Sequence, residues 1–83
     1  MEYDDEKSGR LMKVYILINK EGEYICKNNG RVYISNTELD KVNTYRNKKQ
    51  ADNIAADKRY WEYRNIDIDS FAITLVRLEY KVL

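Results

Sequence analysis

The sequence predicts a small α+β domain, an antiparallel sheet of four to five strands in the order βββ(β)αβ with one helix packed on one face. Three observations lead there. Short runs of alternating apolar residues, separated by glycine-containing turns, occupy the first half of the chain. A stretch without glycine or proline, Lys48 to Tyr63, carries apolar residues at helical spacing. From Phe71 onward, alternation with a period of two returns. Proline is absent and glycine occurs three times, so regular elements joined by short turns should make up most of the chain.

The elements follow in order. Met1 to Leu11 is polar, acidic at its start and without periodicity, and is expected to be a flexible extension of a domain spanning residues 12–83. Met12 opens MKVYILI and reads equally as a second start site. Lys13 to Asn19 is a strand with Val14, Ile16 and Ile18 on one face and Tyr15 and Leu17 on the other, which predicts a central position covered on at least part of its second side. Lys20-Glu21-Gly22 turns the chain into a returning strand, Glu23 to Asn28. Asn29-Gly30 is the signature of a type I′ hairpin leading into Arg31 to Ser35. These three strands should form an antiparallel meander. Asn36 to Lys41 reads as a turn with Leu39 tucked inward, and Val42 to Arg46 as a short extended piece. Asn47 with Gln50 makes a capping box for one helix through Tyr63. Ala51, Ile54, Ala55 and Trp61 form its apolar face, and Lys58 lays its aliphatic stem along the core. Asn65 to Ser70 is expected to be a loop, and Phe71 to Leu83 a long final strand.

Eighty-three residues support one domain, and a domain this small hides only about 60% of its unfolded surface. With 43% hydrophobic residues the chain can still build a core. The longest near-continuous apolar run, Val14 to Ile18, is far short of the roughly 20 residues of a membrane span. The acidic N-terminal residues do not read as a secretory signal. Cys26 is the single cysteine, so no internal disulfide forms and a reducing, cytoplasmic setting is expected.

Few residues offer chemistry. There is no histidine, which removes the commonest general base and metal ligand. Cys26, on a strand and without a partner, reads as a small core residue. Asp67 and Asp69 could in principle hold a cation or share acid–base work, but aspartates before a strand ordinarily shape turns. The three glycines are isolated, so no phosphate-cradling loop is present. The chain is expected to be no enzyme and to need no cofactor or metal.

Charge is uneven. Residues 41–64 carry seven basic and three acidic groups, whereas the whole chain nets +1. Within that segment, Lys41, Arg46, Lys48, Lys49, Lys58, Arg59 and Arg64 are interleaved with Tyr45, Tyr60, Trp61 and Tyr63, of which Tyr60 and Tyr63 are the candidates for exposure and Trp61 for packing. Cations beside stacking rings suit single-stranded nucleic acid or an acidic protein surface. Asp52, Asp57 and Glu62 dilute the patch through helix pairs, so a merely solvated face is the competing reading.

The whole pattern resembles the small proteins encoded in bacteriophage and prophage genomes. Met12-Lys13-Val14-Tyr15-Ile16, Glu21-Gly22-Glu23-Tyr24-Ile25 and Asn47-Lys48-Lys49-Gln50-Ala51 carry the resemblance. It implies a protein that binds and blocks a host macromolecule, CRISPR nucleases and other defence factors among them, in the cytoplasm of a bacterial host. The expectation is therefore a non-catalytic binding module whose partner is a host protein or protein–nucleic-acid complex. The alternative is an accessory protein that binds nucleic acid directly through the basic aromatic helix. Exposed sheet edges also allow a homodimer.

Overall fold

In the computed structural model, which describes residues 10–80, the alternation of β1 (Arg10–Asn19) decides the layout. Val14 and Ile16 are buried on one side of the sheet and Leu17 on the other. Such a strand must lie inside the sheet, and the strand order is β3-β2-β1-β4. β4 (Phe71–Tyr80) pairs antiparallel with β1 along its length, from Asn19↔Phe71 to Arg10↔Tyr80. β2 (Tyr24–Asn28) pairs with β3 (Arg31–Ser35) through a hairpin whose central residues, Asn29 and Gly30, have φ of 53° and 80°. That is the type I′ geometry the Asn-Gly dipeptide predicts.

The expected meander forms only in part. β1 and β2 pair at Ile18↔Tyr24, beside the Lys20–Gly22 turn. Farther along, Val42 to Tyr45 takes up their free backbone groups. Tyr45 and Tyr15 exchange both N–H···O=C bonds, at 2.8 and 2.9 Å, and the Asn43 N–H donates to the Ile25 carbonyl at 2.9 Å. Val42 bridges Cys26 as Tyr45 bridges Tyr15, each contact antiparallel. Because β1 and β2 are themselves antiparallel, the inserted chain reverses direction between the two contacts. The extended piece expected at Val42 to Arg46 is thus a wedge between two strands.

The single helix expected through Tyr63 is two: α1 (Lys48–Ala55) and α2 (Lys58–Glu62). Asn47 caps α1 by accepting from the Gln50 N–H at 2.9 Å, while Gln50 Oε1 accepts from the Arg46 N–H at 3.2 Å, so the capping box forms one residue wider than its usual reciprocal version. Asp57 leaves the helical region and caps α2 through the Tyr60 N–H. The break has a physical reason. An uninterrupted helix would turn Lys58 onto the same face as Ala51, against the core. With the break, Lys58 is exposed and pairs with Asp69, and Trp61 swings fully inside at 1% exposure. Its indole N–H donates at 2.7 Å to the Ile54 carbonyl, near the end of α1.

α2 ends in a Schellman motif. Asn65 adopts φ 58°, its N–H bonds to Glu62, and the Ile66 N–H reaches back to the Trp61 carbonyl at 3.0 Å. Ile66 then packs on Trp61 in one core with Leu17, Ile25 and Ile68. The expected loop Asn65 to Ser70 therefore contributes two buried isoleucines and a 3-10 turn, Ile68–Ser70. A second core, Val14, Ile16, Tyr24 and Cys26, occupies the opposite sheet face, where Val42 packs. Leu39, expected inside, is 53% exposed, because the 3-10 turn Leu39–Lys41 buries none of its residues. The N-terminal extension (apart from Arg10 and Leu11, which already belong to β1) and the end of the last predicted strand lie outside the described residues.

Trp61→Phe deletes the indole donor and leaves the Ile54 carbonyl with the Asp57 N–H at 3.2 Å as its remaining partner. It should cost about 2–3 kcal/mol in urea denaturation followed by circular dichroism.

Candidate binding face on the helical side

The residues singled out by charge and aromaticity do not form one uniform patch. Lys48 pairs with Asp52 one turn away at 3.2 Å, and Lys58 pairs with Asp69. Both cations are partly spent on the protein's own carboxylates. Arg46, Lys49 and Arg59 are exposed, and among the described residues none of them has an ion-pair partner.

Arg64, Tyr60 and Tyr63 are brought together at the end of α2. The Arg64 guanidinium lies 3.8 Å from the Tyr60 ring centroid and 5.8 Å from that of Tyr63, and donates at 2.9 Å to the Tyr60 carbonyl. It closes the helix end and sandwiches charge between two rings. Tyr60 meets Trp61 edge to face, with ring centroids 4.8 Å apart. That contact holds Tyr60 half-buried, whereas Tyr63 is 86% exposed. The expectation for Tyr63 is met; Tyr60 is only partly available. Trp61, assigned to packing, is in the core.

Tyr60 also lines an open cleft of about 450 Å3 with Lys27, Asn43, Tyr45, Gln50, Asn53 and Ile54. The wedge supplies Asn43 and Tyr45, α1 supplies Gln50, Asn53 and Ile54, and β2 supplies Lys27. Asn43 Nδ2 donates to the Tyr45 hydroxyl at 3.1 Å. Burial, reinforced by the neighbouring Tyr60, pushes the Tyr45 hydroxyl up to about 12, so its proton is held for donation. The lining contains no carboxylate. Lys49 precedes Asn53 by one helical turn and so adds a second positive charge nearby.

Charge counted along the chain misses this cleft. Lys27 belongs to a segment of balanced charge, and only strand pairing opposite Val32 puts it on the helical side. Asn43, Tyr45, Gln50 and Asn53 are uncharged, and their convergence depends on the wedge.

The other candidates have structural partners. Asp69 pairs with Lys58, and the Ser70 hydroxyl donates to the Asp67 backbone carbonyl at 2.7 Å; the Asp67 carboxylate makes no capping bond, so this turn is not built by the aspartate side chains as expected. Cys26 is fully buried, and burial raises its thiol pKa, away from the reactive thiolate. Among the described residues, no group of three or more His, Cys, Asp or Glu side chains is placed to hold a metal ion. No helix among them is long and apolar enough to cross a membrane.

Tyr45 has a measurable signature. The folded state keeps its proton to about 12, against 10.0 for an unperturbed tyrosine. Its contribution to stability is therefore full below pH 10.0 and fades as pH rises through about 12. Tyr33, whose hydroxyl donates to Glu38, is likewise held to about 12. Alkaline absorbance titration should show a late-ionising tyrosine class, and Tyr45→Phe should remove one tyrosine's amplitude from it.

Compared with protein-family models, curated proteins and solved structures, the chain matches none.

Proposed function

We propose that this protein is a non-catalytic binding module that docks on a host macromolecule through its helical side. The carrying observation is the cluster at the end of α2. There a tyrosine 86% exposed stands beside a guanidinium stacked 3.8 Å over a second tyrosine. Beyond its contact with the Arg64 guanidinium at 5.8 Å, the exposed Tyr63 ring adds little to the fold, whereas tyrosine and arginine are the side chains that interfaces use as anchors. Arg46, Lys49 and Arg59, exposed and without ion-pair partners among the described residues, add positive charge along the same helical segment. An anionic surface on the partner fits that charge.

The resemblance to phage-encoded proteins supplies the class of partner: a host protein or protein–nucleic-acid complex in the bacterial cytoplasm, with inhibition of a defence factor as the outcome. Docking of this kind uses shape and charge and needs no cofactor. A direct contact to nucleic acid is favoured by one further feature, the amide- and phenol-lined cleft beside the cluster.

Tyr63→Ala should change folding stability by no more than about 0.5 kcal/mol, because the ring is exposed. The same substitution should weaken capture of the partner by about tenfold, as should Arg64→Ala. Pull-downs from bacterial lysate with wild type and both variants, with and without nuclease, test the reading. Capture unchanged in both variants would overturn it, and loss on nuclease treatment would assign the contact to nucleic acid.

A further inference from the structure

We infer that the cleft between β2, the wedge and α1 is a binding site for a nucleotide unit. The base would lie against the Tyr45, Tyr60 and Ile54 side, with its phosphate held by Lys27 and Lys49. The inference deepens the binding-module reading and depends on it only for the absence of turnover.

Size, charge and hydrogen-bonding capacity each narrow the ligand. At about 450 Å3 the cleft falls in the roughly 300–1,000 Å3 range of small-molecule sites, large enough for one nucleotide and small for a folded segment. Its lining holds one ammonium and no carboxylate, and Lys49 stands one helical turn from Asn53, so the ligand carries negative charge. Two phenol rings and an isoleucine offer flat apolar surface, which a free inorganic anion would leave unused.

The amides complete the description. Gln50 Oε1 is occupied by the Arg46 N–H, and Asn43 Nδ2 by the Tyr45 hydroxyl. Gln50 Nε2, Asn43 Oδ1 and both ends of Asn53 make no hydrogen bond within the described residues. With the Tyr45 proton, the cleft presents donors and acceptors side by side, as the edge of a base requires. A flat ring with a mixed donor–acceptor edge and an attached anion is the chemistry of a nucleotide, either free or as one unit of a single strand. A duplex would keep that edge paired and its faces stacked.

The test is amide-resolved NMR titration of the intact chain with four 5′-mononucleotides and with a mixed-sequence single-stranded oligonucleotide. Wild type is compared with Asn53→Asp and Lys27→Glu, each first checked for wild-type circular dichroism. Both sites are exposed, so the fold should survive. The expected result is saturable shifts at Lys27, Gln50, Asn53 and Ile54, with affinity lowered by about tenfold in either variant. Saturation by mononucleotides identifies the free nucleotide as the ligand, and shifts confined to the oligonucleotide identify a strand. Oligonucleotide binding that resists both substitutions but is lost in Arg64→Ala would overturn the cleft assignment while leaving the docking reading intact. So would silence toward every nucleotide probe alongside nuclease-resistant capture of a protein partner.

Discussion

The paired backbone hydrogen bonds between Tyr15 and Tyr45 are the contact on which the rest of the structure depends. Buried N–H and C=O groups of a strand must find partners, and β2 leaves β1 after Ile18↔Tyr24. The segment Val42–Tyr45 satisfies them, bonding to Tyr15 on one side and to Ile25 on the other. Without it, a central strand would have an unpaired edge in the middle of the domain. With it, Asn47 is delivered to the place where α1 can start, and α1 lies over Leu17.

The break between α1 and α2 follows from the same placement. α1 has its buried face set by Ala51, Ile54 and Ala55, and continuing that face would have turned Lys58 inward. Asp57 caps a new helix instead, the Trp61 indole takes the Ile54 carbonyl, and Tyr60 is turned toward the wedge. The Schellman end at Asn65 then folds Ile66 back under Trp61. One core on the helical side thus fixes the cleft, the aromatic cluster and the start of β4, which returns to pair with β1 over its whole length.

Much of this was legible in the residues, and the exceptions share a cause. Period-two alternation located the strands, because side chains facing two ways must be apolar wherever both faces are covered. Asn29-Gly30 and Asn47…Gln50 act within a few residues of themselves, and both formed the turn and cap their chemistry requires. The helix break, the wedge and the burial of Ile66 and Ile68 depend on contacts distant in sequence. Asp57 looks like a surface charge diluting a basic helix until Lys58 is seen to have nowhere to go inside. Ile66 and Ile68 alternate with Asp67 and Asp69, and the aspartates dominate a local reading. The same limit applies to the binding face: its charges show along the chain, but the neutral side chains of the cleft are gathered only by the fold. Lys27 joins them through strand pairing alone.

Hydrogen exchange at the Tyr15, Asn43 and Tyr45 amides tests most directly whether the wedge holds the sheet and the binding face together. The account predicts that all three exchange as slowly as amides of the β1–β4 ladder such as Ile16 and Thr74, because opening any of them requires parting the sheet. Exchange of Asn43 and Tyr45 at the rate of an open loop, with the ladder still protected, would contradict it. The segment would then lie on the sheet without being part of it, and neither the cleft nor the placement of α1 would follow from the pairing.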